Sequence, residues 1–336
     1  TPSNSSAASD VYKRQLLILV LTCSFSACKE KTINNNSTTS AEEEQQNSSS
    51  TPNYGLSAGF TEGDNVSLTY NGKPLSFEYS LYNPEAPAEW GIEVYVDGIL
   101  QNITVYSENT SVAQNTNMYI TNLENGERKI IRIEFMPNTG KAGETLEVNV
   151  CSFLNPDYMI DGTDYTSFLP FHRLSPGYTM KIQMNKDAQD TVKVSEFKGE
   201  YTEVPQEIMD SFNSVNSSNE IENVFDRQQI FDVCKSNEDE SVINLSGKKD
   251  TLKVFGYGKP GTYRISVYIN NQIIRAFDGE YYCDAEVKKG QKFQIDIPVE
   301  AESEKNHIYV VVLELSGDSD VTNNYIKSST KLLLVN

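Results

Sequence analysis

The sequence predicts an all-β protein: two tandem antiparallel β-sandwiches with a short helix between them. Three observations carry this. Apolar and polar residues alternate in short runs, each run is bounded by Gly, Pro, Asn or Asp, and the order of runs recurs in the two halves of the 336-residue chain. With 38% hydrophobic and 10% aromatic residues, the chain can bury ordinary cores, and its length allows two domains.

The first sandwich is expected over residues 53–190. Leu75, Phe77, Tyr79 and Leu81 face one way, with Ser76, Glu78 and Ser80 between them. Ile92, Val94 and Val96 repeat the alternation and run into Asp97-Gly98, a hairpin signal because both central residues of such a turn adopt positive φ. Ile131, Ile133 and Phe135 make a further strand, Leu146, Val148 and Val150 another, and Met180, Ile182 and Met184 close the unit. Residues 191–235 read as a connector. Within it Val204, Ile208, Phe212 and Val215 fall at helical spacing behind Pro205, a residue tolerated in a first helical turn.

The second sandwich is expected over residues 236–336. Its strands are marked by Leu252 and Val254, by Tyr263, Ile265, Val267 and Ile269, and by Phe293, Ile295, Ile297 and Val299. Residues 308–313 are apolar on both faces, as a central, covered strand would be, and residues 331–335 form the last strand. Val94-Tyr95-Val96-Asp97-Gly98 matches Val267-Tyr268-Ile269-Asn270-Asn271, and Gly126 precedes the strand to Phe135 as Gly290 precedes the strand to Val299. The two halves read as diverged copies of one unit.

The segment before the sandwiches concerns location. Residues 16–27 are an apolar run of 12 residues ending at Cys28. A helix needs about 20 residues to cross the hydrocarbon core, so the run suits the apolar region of a signal peptide instead. Phe25-Ser26-Ala27-Cys28 resembles the lipobox of bacterial lipoproteins, which implies a diacylglyceryl group on the Cys28 sulfur and anchoring outside the cytoplasm. Residues 1–15 resemble translated sequencing-adapter sequence and are set aside as an artefact, with Lys13 and Arg14 among them. Residues 28–52 then comprise the lipidated cysteine and a polar stretch whose only large apolar residue is Ile33. Such a stretch is expected to be a disordered tether reaching roughly 27 Å.

The strand order of residues 60–190 and 240–336 resembles the Ig-like and cell-adhesion-related modules of bacterial surface proteins. The resemblance implies extracellular display and recognition, and transfers no catalytic residues.

The chemistry on offer is sparse. The net charge of −19 repels phosphate backbones, which argues against a nucleic-acid partner. The two histidines, His172 and His307, fall in different halves, and no His-Glu-x-x-His, Gly-x-Ser-x-Gly or phosphate-cradling loop occurs. No cofactor is expected. Asp157, Asp161 and Asp164, and separately Asp318 and Asp320, place carboxylates as calcium ligands would require, but solvated hairpin loops are the favoured reading and no metal site is expected. Trp90, Tyr281 and Tyr282 are candidates for an aromatic ligand platform, against the simpler role of strand residues. Cys234 and Cys283 could form a disulfide in the second sandwich or remain buried thiols. The expectation is therefore a non-catalytic lipoprotein, held at a membrane through Cys28 and binding a protein or glycan. A carbohydrate-binding accessory or degradative enzyme of the cell surface, and a structural spacer, are the alternatives.

Overall fold

The computed structural model describes residues 55–62, 67–107, 114–158, 174–175, 179–215, 224–236, 242–316, 326–329 and 332–336. The expected artefact, signal peptide, lipidated Cys28 and tether lie outside these residues.

The first unit comprises β1 (Ser57–Phe60), β2 (Ser67–Tyr70), β3 (Leu75–Tyr82), β4 (Ala88–Val96), β5 (Ile99–Leu100), β6 (Ile103–Ser107), β7 (Gln114–Thr116), β8 (Tyr119–Leu123), β9 (Arg128–Phe135), β10 (Thr145–Leu154), β11 (Leu174–Ser175) and β12 (Thr179–Met184). One sheet runs β1-β3-β9-β6-β7, and the other β2-β12-β10-β4-β5 with β8 on β4 and β11 on β10. The alternation seen in the sequence sets the sandwich. Phe77, Tyr79, Ile131 and Ile133 of the first sheet close over Ile92, Val94, Val148 and Ile182 of the second, all buried.

The second unit comprises β13 (Val194–Glu196), β14 (Glu200–Glu203), α1 (Gln206–Val215), β15 (Gln229–Cys234), β16 (Val242–Asn244), β17 (Lys249–Gly258), β18 (Gly261–Ile269), β19 (Gln272–Ile273), β20 (Tyr282–Val287), β21 (Gln291–Glu300), β22 (Lys305–Ser316), β23 (Ile326–Ser328) and β24 (Leu332–Val335). Its sheets run β13-β20-β18-β22-β24-β16 and β14-β21-β17-β15. Ile265, Val267, Val310 and Leu334 meet Leu252, Val254, Phe293 and Ile297 in a core of its own. The protein is all-β, built of sandwich-like sheets, with one α-helix among the described residues.

Two expectations are corrected. Residues 191–235 are not a connector, because β13 pairs β20, β14 pairs β21 and β15 pairs β17, all within the second sandwich. α1 is present where its apolar spacing puts it, and it lies on the outer face of β17 rather than between sandwiches: Val204, Ile208 and Phe212 bury Phe255 and Tyr257. The sheets are also not wholly antiparallel. β2 runs parallel to β12, β16 to β24 and β13 to β20. The reason for the first two is that the chain leaves a strand in one sheet, β1 or β15, and crosses to the far edge of the other with the next, β2 or β16.

The two units share most of their topology. β1, β3 and β9 recur as β15, β17 and β21, while β2, β12, β10, β4 and β5 recur as β16, β24, β22, β18 and β19, with β8 and β11 recurring as β20 and β23. The matching phrase in the sequence gives the same tight turn in both. Asp97 and Gly98 have φ of 45° and 74°, and Asn270 and Asn271 have φ of 49° and 61°.

Candidate functional site

In a solitary sandwich the outer face of each sheet would meet water. Here the outer faces of β4–β10 and β18–β22 meet each other. A strand alternates its side chains, so while Ile92, Val94 and Val96 point into the first core, Glu93 and Tyr95 point out, as do Cys151 and Phe153 on β10. Opposite them stand Tyr268 of β18 and Tyr309, Val311 and Leu313 of β22, and these residues form a third apolar layer between the two cores. Counterparts touch: Tyr95 and Tyr268 hold the same place in the repeated phrase, and their hydroxyls lie 3.1 Å apart.

Polar groups close the rim. The Leu100 N–H donates to the Tyr282 hydroxyl at 2.9 Å. Arg264 forks onto Asp284 with two bonds of 2.8 Å and donates through its third nitrogen to the Asp97 carbonyl, also at 2.8 Å. Asn271 donates to the Pro156 carbonyl at 2.9 Å and to Asp157 at 3.0 Å, and its own carbonyl accepts from His307 Nε2 and Tyr309. The Tyr268 and Tyr309 rings stack at 5.1 Å.

Glu93 is the exception in this layer. It is fully buried, Tyr95 donates to its Oε2 at 2.5 Å, and its Oε1 has no hydrogen-bond partner. Because Tyr95 gives its only proton to the carboxyl, the Tyr268 hydroxyl is the donor to Tyr95, so a short donor chain ends at Glu93. Burial pushes its pKa up to about 8, against a partial pull downward by Tyr95. The carboxyl is then neutral in the folded protein near pH 7, while in the unfolded chain it ionises near 4.5. The stability held below pH 4.5 is lost as pH rises to about 8, a total on the order of 4 kcal/mol. Glu93→Gln should therefore raise the unfolding free energy at pH 8 by a few kcal/mol and flatten that stretch of the pH profile, measured by denaturant titration.

At the rim, burial raises the Asp97 carboxyl and pushes Glu147 up to about 7, each adding to or opposed by neighbours that include Arg264 and Lys181.

An open cleft of about 270 Å³ lies beside β13 and β14. Its charges are Lys198 and Lys253 with Glu196, Glu200, Asp278 and Asp296. Lys198 pairs with Asp278 and Lys253 with Asp296 at 3.7 Å, so both lysines are already neutralised.

The residues singled out in the sequence are dispersed. Trp90 packs in the first core at 5% exposure, because it shares the inward face of β4 with Ile92 and Val94, and it cannot serve as a ligand platform. Tyr282 is likewise buried, at 3%, since the first unit covers it through Leu100. Tyr281 is half-buried with Arg275 over its ring at 4.5 Å. Cys283 sits inside the second core and Cys234 beneath α1 with Phe255 and Tyr257, on opposite faces of a sheet layer, so no disulfide joins them. Asp157 bonds Asn271 at the junction, and Asp161, Asp164, Asp318 and Asp320 lie outside the described residues. Among the described residues no three His, Cys, Asp or Glu side chains converge as a cation site. What the sequence reading missed is Glu93, visible only as a single carboxylate inside the strand Ile92-Glu93-Val94.

No protein-family model and no curated protein matches the chain. Among solved structures, the chain is similar in outline to the Salmonella enterica SafA pilin in complex with the SafB chaperone. That match has 12% identity and a TM-score of 0.22, and covers 85% of this chain and 99% of that one. The CsuC–CsuE chaperone–tip adhesion subunit complex of Acinetobacter baumannii matches at 8% identity and TM-score 0.20, over 84% of this chain and 98% of that one. A PapD-like domain of human CEP192 matches at 12% identity and TM-score 0.21, over 45% of this chain and 99% of that one.

Proposed function

We propose that this chain is a non-catalytic binding protein, held outside the cytoplasm by a lipid on Cys28, whose two sandwiches present one rigid surface to a protein or glycan partner. The observation that carries the reading is the sealed junction. A layer containing Tyr95, Phe153, Tyr268, Tyr309 and Leu313 fixes the second sandwich on the first, and a body held closed at its joint loses little freedom when it engages a partner. The apolar run before Cys28 and the polar stretch after it support the tether.

Two experiments test the parts separately. Cys28→Ser should move the protein from the membrane fraction to the soluble one, and unchanged fractionation would remove the lipid anchor from the account. A screen of immobilised glycans and surface proteins with the chain from Lys29 onward should return a saturable ligand, whereas no binding together with hydrolysis of a polysaccharide would replace a binding protein by an enzyme.

A further inference from the structure

The carboxyl of Glu93 is placed where it can act on the junction alone. It stands on the outward face of β4, so parting the two sandwiches would bring it into water without unfolding either one. Each sandwich keeps a core that the junction layer does not share. Inside the closed junction the groups that face it are Tyr95 on its own strand, Cys151 on β10, and Tyr268, Tyr282 and Tyr309 from β18, β20 and β22. All are phenols or a thiol, and none supplies a positive charge. At the rim Arg264 is held by Asp284, Lys181 acts on Glu147, and His307 bonds Asn271 beside Tyr309. A carboxylate at this position would be buried with one oxygen unsatisfied and no counter-ion, which a protein interior does not tolerate cheaply.

We infer that Glu93 is a protonation latch: the protonated side chain holds the two sandwiches together, and loss of its proton parts them into two intact, separately folded units joined by residues 185–193. Tyr95 and Tyr268 set the threshold, since the donor chain that ends on Oε2 favours the anion and so limits how far burial can delay the proton's departure. The latch rests on the rigid-body reading of the junction and adds its control. The counterpart of Glu93 in the repeated unit is Ser266, so only one side of the junction carries an ionisable group at this place.

The chain contains its own reporters. Cys151 is buried in the junction layer, Cys283 in the second core and Cys234 under α1. Iodoacetamide labelling of the full chain, with each site quantified by peptide mass spectrometry and corrected for thiolate fraction, should show Cys151 becoming at least tenfold more reactive between pH 7 and pH 9.5. Cys234 and Cys283 should stay protected over the same range. In Glu93→Gln the Cys151 increase should vanish, and in Tyr95→Phe, which removes the bond favouring the anion, it should move to higher pH. Labelling of all three thiols together would mean unfolding and would overturn the latch. So would a Cys151 increase that persists unchanged in Glu93→Gln, or protection of Cys151 throughout. None of these failures touches a ligand found at pH 7, so the latch and the binding role can fail independently.

Discussion

Phe153→Ala is expected to cost about 3–5 kcal/mol and to split the thermal transition in two. The ring is fully buried in the layer between the sandwiches, 6.1 Å from the ring of Tyr309, with Cys151 and Leu313 in the same cluster. Neither neighbouring core can collapse into the space, because each is closed by its own sheet. The truncation therefore removes contacts across the junction while leaving the interior of each sandwich whole. Calorimetry of the variant should show two separated transitions where the parent shows one. A single transition merely shifted downward would mean that the loss fell on one sandwich and not on their coupling.

The second large effect comes from the backbone. Gly258 ends β17 with φ of 106°, and a Cβ there would lie 2.2 Å from the carbonyl oxygen of Gln228. That oxygen cannot retreat easily, since it accepts from the N–H of Lys259 at 2.5 Å and leads directly into β15, which pairs along β17. Gly258→Val combines a disfavoured left-handed conformation with a collision against main chain, and should destabilise the second unit by at least about 3 kcal/mol. Hydrogen exchange should accelerate in β15 and β17 first. Gly279 also has positive φ but meets nothing within 4 Å, so Gly279→Ala should cost far less and serves as the comparison.

Much of the architecture could be read from period and punctuation. Strands β3, β4, β9, β18 and β21 were legible because their apolar residues alternate, and the two tight turns because Asp-Gly and Asn-Asn tolerate positive φ. The helix was legible from the spacing of Val204, Ile208 and Phe212. Its packing partner was not, and neither was the membership of β13, β14 and β15 in the second sandwich, because short edge strands are specified by what they pair with more than by their own residues. The candidate site was the least legible part. Alternation identifies the inward face and treats everything else as surface, so Tyr95, Phe153 and Tyr268 pass as exposed aromatics and Tyr282 as a free platform, whereas Trp90 shares the parity of Ile92 and Val94 and could have been read as core. A signal did exist: residues 308–313 are apolar on both faces, which requires a cover on each side. What supplied the second cover was the other half of the same chain, a relation that only three dimensions reveal.

A junction that makes one rigid body of two sandwiches predicts a single distance between fixed points on the two units. Spin labels placed by Ser76→Cys in β3 and Glu302→Cys before β22, both exposed positions on different units, should be the only accessible thiols in the chain from Lys29 onward, because Cys151, Cys234 and Cys283 are buried. At pH 7, pulsed electron resonance should return one narrow distance peak. A broad or bimodal distribution would show sandwiches moving independently and would contradict the account.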